Sequence, residues 1–262
     1  MTQEQLDAFS VLAERLANVA APEVMVRFRT GLLAESKADS SPVTEADRAA
    51  EAALRALIEA EQPDHGIVGE EYGSDRADAE YVWVLDPIDG TKSFVTGKPT
   101  FGILVALLHR GRPVIGVIDH PALGDRWVGV AGRPTTFNGR PIATRPCAAL
   151  DQAWMYATSP TMFRPGPERE AYGRLSGAVR QALYGCDCYA YGLLSCGTVD
   201  LVCEATLMPY DYLALVPVIE GAGGIITDWS GQPLGLEGDG TALAAGDRAL
   251  HQAALARLKD ES

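Results

Sequence analysis

The chain has 262 residues, enough for a large core in one domain or in two closely joined halves. Apolar residues make up 47% and charged ones 22%, which excludes a disordered or low-complexity chain. A net charge of −13 argues against nucleic acid or an anionic membrane as the main partner, and no apolar run approaches the roughly 18 residues of a membrane span.

No basic segment followed by an apolar one opens the chain, so no signal peptide is expected. Residues 3–20 carry Leu6, Phe9, Leu12, Ala13, Leu16 and Ala20 at helical spacing. Pro22 is expected to interrupt that helix, with a second helical piece over residues 23–33. Residues 37–42 are polar and turn-forming and read as a loop. Thr44 resembles the cap of a helix over residues 45–60, with Asp47 in its first turn, where the helix dipole favours a carboxylate. Residues 63–66 form a turn, and Ile67-Val68 begin a strand ending at Gly69-Glu70-Glu71.

Residues 81–85 are apolar, with β-branched and aromatic side chains, and read as a buried strand that Asp86-Pro87 ends. Asp89-Gly90-Thr91 then reads as a turn into a short helix. Residues 101–108 and 113–119 form a hairpin signal, continued by residues 126–130 and by 135–140 around an Asn-Gly turn. The first half therefore reads as helices on one face of a mainly antiparallel sheet. Beyond it come a strand at 153–157, helices at 168–179 and 189–196, and a strand at 199–204. A helix at 210–221, strands at 224–227 and 242–245, and a helix at 247–258 complete an α/β second half. Five cysteines without a CxxC pair read as free thiols of a cytoplasmic protein, and none of the four histidines falls in a motif.

Two carboxylates three residues apart at the end of a strand, followed by glycine and a hydroxyl, suit hard cations and phosphate. Asp86 in particular ends an apolar strand, so it sits near the core and requires a partner. By themselves these residues also fit a simple turn with an aspartate cap.

Asp86-Pro87-Ile88-Asp89-Gly90-Thr91 resembles the signature of the inositol-monophosphatase superfamily of Mg²⁺-dependent phosphomonoesterases. Gly69-Glu70-Glu71 upstream, and Pro209-Tyr210-Asp211 and Glu220-Gly221-Ala222-Gly223-Gly224 downstream, extend the resemblance in the same order. It implies an αβαβα sandwich, one phosphatase domain over 1–262 with halves at 1–145 and 146–262. It also implies Glu70, Asp86, the Ile88 carbonyl, Asp89 and Asp211 as ligands of two or three Mg²⁺ ions. The catalytic residues it implies are Asp47, Thr91 and Glu70, with Asp47 orienting the Thr91 hydroxyl towards water, and with the N–H groups of Gly90 and Thr91 on the phosphate. Glu71 is left between an outward-facing place and one supporting the ligands. Lys37 is expected to help order a further metal.

For the substrate, Asp119-His120-Pro121, Cys186-Asp187-Cys188 and the stretch from Val199 to Glu204 resemble the histidinol-phosphate phosphatases of the same superfamily. That implies hydrolysis of L-histidinol phosphate, a step of histidine biosynthesis, with Asp187, Glu204 and Asp211 facing the substrate. Histidinol phosphate carries an ammonium that an acidic Asp187 or Glu204 would receive. Asp187 fits equally as a helix cap, and Glu204 as the partner of a basic neighbour. The alternatives are an inositol-1-monophosphatase or broad sugar phosphatase, a nucleotide 3′-phosphatase, and a non-catalytic cation-binding protein. The resemblance further implies a homodimer inhibited by Li⁺.

Overall fold

The computed structural model describes residues 1–30, 35–36, 42–43 and 45–259. The expectations for Lys37 and Thr44 lie outside the described residues, and so does the expected loop over 37–42 apart from Pro42, which is in a strand. Helix α1 (Gln3–Met25) starts on a Thr2–Gln5 capping box and buries Leu6, Phe9, Leu12, Leu16 and Val24 along one stripe. It does not break at Pro22. The proline lies one turn from the end, and the burial of Val24 beyond it favours keeping the turn helical. No second helix follows in the described residues, because 26–30 form a turn.

A two-stranded ribbon, β1 (Glu35–Ser36) and β2 (Pro42–Val43), precedes α2 (Glu45–Glu61). Then come β3 (Gly66–Gly69), β4 (Gly73–Asp75), β5 (Tyr81–Asp89), the short α3 (Thr91–Val95), β6 (Gly102–His109), β7 (Arg112–His120) and β8 (Asp125–Val130). The small strands β9 (Thr136–Phe137) and β10 (Arg140–Pro141) close the first sheet. Its order is β10-β9-β8-β7-β6-β5-β3-β4, antiparallel except where β3 runs parallel to β5. Two-residue turns at Arg110-Gly111 and Asn138-Gly139 have successive positive φ values, the geometry that matches strand twist.

The second half supplies β11 (Trp154–Ala157), α4 (Pro167–Ser176), β12 (Gln181–Tyr184), α5 (Tyr189–Ser195), β13 (Leu201–Glu204), α6 (Pro209–Tyr212) and α7 (Leu215–Gly221). It ends with β14 (Ile225–Thr227), β15 (Ala242–Ala245) and α8 (Arg248–Lys259). The second sheet has order β12-β11-β13-β15-β14 and mixes parallel and antiparallel pairs. The single helix expected over 210–221 is two helices. Pro217 has no N–H to give the Leu213 carbonyl, and the chain breaks at Leu213-Ala214.

Alternation along the strands divides the apolar residues into three cores. Trp83 and Leu85 of β5, with Val105 and Leu107 of β6, face α1 and α2. Val82, Val84, Leu104 and Ala106 face the opposite way, where they meet Tyr191, Leu213, Val218 and the inner face of the second sheet. Leu201, Cys203 and Leu243 face outward onto Tyr172 and Leu175 of α4 and Leu250 and Ala254 of α8. The result is the expected five-layer αβαβα sandwich. The first sheet is therefore covered on both faces, not on one as its local sequence suggests, because its second cover comes from α5, α6 and α7, far along the chain.

A pair of glycines lets that cover approach. Gly116 and Gly129 lie opposite each other on β7 and β8, and a Cβ at either would overlap backbone of the α7 region, Ala214 O or Pro217-Val218. Gly129→Ala is expected to destabilise the protein by about 2 kcal/mol or more through backbone displacement. Gly235→Ala, where a Cβ meets only open space, should be close to neutral. Thermal unfolding of the two variants side by side checks this, and equal melting temperatures would contradict it.

Candidate active site

The parallel pair β3 and β5 points its carboxyl ends the same way, with Gly69 opposite Leu85. Glu70 follows β3, and its amide donates to the Leu85 carbonyl at 3.3 Å, which sets Glu70 beside Asp86. Strand β5 does not end at Asp86-Pro87 as its sequence suggests. Asp86 pairs with Leu104 and Asp89 with Gly102, so three steps on β5 match two on β6. That is a bulge, the place within a sheet where a proline without an N–H is tolerated. Inside it the Ile88 amide donates to Asp86 Oδ1 at 3.0 Å, and the Thr91 hydroxyl donates to the Ile88 carbonyl at 3.2 Å. Asp86 is 1% exposed.

From the second half comes Asp211, in the first turn of α6, whose Oδ2 accepts the Met208 amide at 2.7 Å. Asp86, Asp89 and Asp211 each bring an oxygen to within 4.8 Å of the other two. Burial first, and then Glu70, Asp89, Asp211 and Asp47, push the Asp86 carboxyl well above its usual range. Burial and then Asp187 and Asp211 do the same to Asp89, while Asp211 rises to about 7, chiefly through burial. None of the ion pairs among the described residues reaches these three acids. Converging hard oxygens, desolvated and mutually repelling, fit a divalent cation such as Mg²⁺, with Glu70 and the Ile88 carbonyl at their edge.

Asp47, 1% exposed in the first turn of α2, is close enough to Asp86 to raise its pKa. The Thr91 hydroxyl points to the Ile88 carbonyl, so its expected orientation by Asp47 is not the hydrogen bond this structure has. Glu71 is a buried side chain 3.9 Å from Arg48, and therefore not an outward-facing charge.

A cavity of about 220 Å³ opens beside the cluster, lined by Glu70, Asp89, Gly90, Thr91 and Asp211 and also by Thr158, Asp187, Tyr191 and Glu204. Gly90 sits at φ +80°, and a Cβ there would press on the Asp187 carboxyl. Asp187 is not a helix cap. Its Oδ2 accepts the hydroxyls of Ser93 at 2.6 Å and Thr100 at 2.7 Å, with Lys98 Nζ at 3.9 Å, while the Cys188 amide donates to Asp89. Glu204 has no basic partner among the described residues. It accepts the Thr158 amide at 2.7 Å and the Tyr191 hydroxyl at 3.0 Å, and burial raises its pKa. Tyr191, Thr158, Ser93, Thr100 and Lys98 were not marked by the sequence. The signal that could have found Tyr191 is a polar tip within an otherwise apolar helix.

The inositol monophosphatase family model matches residues 5–262. The chain is 49% identical to a chloroplastic bifunctional phosphatase of Arabidopsis thaliana, covering 99% of this chain and 77% of the relative. It is 36% identical to the histidinol-phosphatase of Mycobacterium tuberculosis, over 95% of this chain and 96% of that one. A solved inositol monophosphatase from Zymomonas mobilis superposes with a TM-score of 0.90 at 48% identity, covering 97% of this chain and 98% of that one. With the layered fold and a match running nearly from end to end, this chain belongs to the inositol monophosphatase family of phosphatases, whose enzymes use Mg²⁺.

Proposed function

We propose that the chain hydrolyses L-histidinol phosphate to L-histidinol and inorganic phosphate. The observation that carries the substrate is the acidic wall that Asp187 and Glu204 add to the cavity lined by the cluster. Asp187 and Glu204, 8% and 3% exposed, line the same cavity as Asp89 and Asp211, and among the described residues no cationic side chain balances Glu204. A phosphate ester bearing an ammonium would place its anionic end on the cluster and its cationic end on that wall. An uncharged polyol would leave the wall uncompensated.

When bound at Glu70, Asp86, the Ile88 carbonyl, Asp89 and Asp211, Mg²⁺ supplies a Lewis acid that neutralises phosphoryl charge and makes water acidic enough to attack near neutral pH. The chain's own groups do the rest. The N–H groups of Gly90 and Thr91, at the start of α3, receive phosphate oxygens. The Thr91 hydroxyl orients the attacking water, and Asp47, whose charge reaches Asp86, accepts the proton that the water gives up. Tyr191 holds Glu204 against the wall, and Ser93 and Thr100 hold Asp187, so neither acid must reorganise when the amine arrives. The second reading, an inositol-1-monophosphatase or broad sugar phosphatase, has in its favour the hydroxyl-bearing lining of Thr91, Thr158 and Tyr191, which suits a polyol.

Phosphate release from histidinol phosphate, inositol 1-phosphate and a nucleotide monophosphate, with and without Mg²⁺, decides between them. Histidinol phosphate should be the preferred substrate, and a preference for inositol 1-phosphate would reject the reading. Asp187→Asn keeps an oxygen for Ser93 and Thr100 but loses the charge. It should raise KM for histidinol phosphate roughly tenfold while hardly changing KM for inositol 1-phosphate. Equal rises for both esters would remove the amine-binding role. Thr91→Ala should lower kcat by about 10²–10⁴-fold with little change in Mg²⁺ affinity, measured by steady-state kinetics against metal titration.

Neutralising one acid of the cluster should separate repulsion from metal binding. Metal-free Asp86→Asn should melt higher than metal-free wild type. Mg²⁺ at about 100 times its Kd should stabilise the wild type by about 2.7 kcal/mol and the variant hardly at all. Scanning calorimetry with and without chelator reads both effects.

A further inference from the structure

One turn beyond Asp47, helix α2 carries a second buried acid that lines no part of the cavity. Glu51 is fully buried, and its two oxygens accept three N–H groups. Oε1 takes Arg55 Nε at 2.8 Å and the Tyr72 amide at 3.2 Å, and Oε2 takes the Glu71 amide at 2.7 Å. Arg55 continues to the Gly73 carbonyl, and its guanidinium lies 6.0 Å from the Tyr72 ring centre. The turn directly after Glu70 is thus pinned to α2, while the Glu70 amide is held on the other side by Leu85. Gly69 shows how close the approach is, since a Cβ there would collide with the Glu51 carboxylate.

A buried carboxylate is a costly way to close a turn if closing it were the only task. A charge-assisted pair of amide bonds fixes the turn more tightly than neutral bonds would, and the i, i+4 spacing puts Asp47 and Glu51 on one face of one rigid helix. The same helix therefore sets Asp47 beside Asp86 and sets the height of the turn that carries Glu70. We propose that Glu51 is a positioning residue for Glu70. Through the Glu71 and Tyr72 amides it holds the Glu70 carboxylate beside Asp86 and Asp211, so that cation affinity depends on a residue touching neither ion nor substrate. The inference rests on the metal reading above.

Glu51→Gln keeps the shape but turns one acceptor oxygen into an NH₂ that must face an N–H donor. Mn²⁺ binding followed by electron paramagnetic resonance, with Mg²⁺ titration of activity, should show affinity about tenfold or more weaker in E51Q. At saturating Mg²⁺, kcat should return to within about threefold of wild type, and Glu51→Asp, which keeps both acceptors, should recover part of the affinity. Wild-type Mn²⁺ affinity in E51Q, even with a lower melting temperature, would reduce Glu51 to a structural role and overturn the inference. Should E51Q not fold, amide hydrogen exchange of the wild type gives the answer. The Glu71 and Tyr72 amides should exchange slowly and more slowly still with Mg²⁺, and exchange indifferent to Mg²⁺ would overturn it. A wild-type chain that binds no Mn²⁺ would end the metal reading and this inference together. Unchanged binding in E51Q against a wild type that does bind ends this inference alone.

Discussion

Asp86 is a buried carboxylate on which, among the described residues, the charges that act are themselves carboxylates, and much of the molecule is arranged around that conflict. Bringing Glu70, Asp89, Asp211 and Asp47 near it raises the free energy of the folded chain unless protons or cations intervene. Four elements hold these acids, with Asp86 and Asp89 sharing β5. Backbone amides fix Asp89 and Asp211, and the parallel pairing of β3 with β5 fixes Glu70. A looser assembly would relax apart. The second half of the chain supplies Asp187 and Glu204 of the same cavity and also Asp211 of the cluster, so the site is complete only when the two halves pack together.

The layers meet closely because small residues stand where they cross. The glycines facing each other on β7 and β8 let α7 lie directly on the sheet, which carries α6 and Asp211 down to β5. Gly90 does the same locally for Asp187. The chemistry of the site depends on these bare positions as much as on its charged ones, since each fixes a distance that a side chain would lengthen.

Most elements were legible because their burial is periodic. The stripe from Leu6 to Ala20 and the continuous apolar runs of β6 and β7 are written in sequence, and so is the Asn138-Gly139 turn. Where the reading failed, a long-range contact outweighed a local rule. Pro22 breaks helices in isolation, yet Val24 beyond it is buried. Pro87 ends strands as a rule, but a bulge accommodates it. The second cover of the first sheet could not be seen, because it belongs to residues a hundred positions later. In the site, the acids were legible through motif resemblance, since carboxylates in that pattern have few other uses. Glu51 was not, because a glutamate on an amphipathic helix looks like solvated charge until its partners at Glu71 and Tyr72 are placed. Nor were the roles of Ser93 and Thr100, whose hydroxyls acquire meaning only when Asp187 arrives from the other half.

In a regular strand, residues three apart point to opposite faces, so Asp86 and Asp89 would be separated by the thickness of the sheet. The extra residue between them cancels that half-turn and turns both side chains to one edge. A chain shortened by a single residue at Pro87 or Ile88 would thus weave a more orderly sheet and still turn both carboxylates to one face, but it would lose the unpaired step that lies between them. One irregular step of the polypeptide therefore gives the site two things at once, a shared face for acids three residues apart and an Ile88 carbonyl turned to Thr91 instead of to a neighbouring strand.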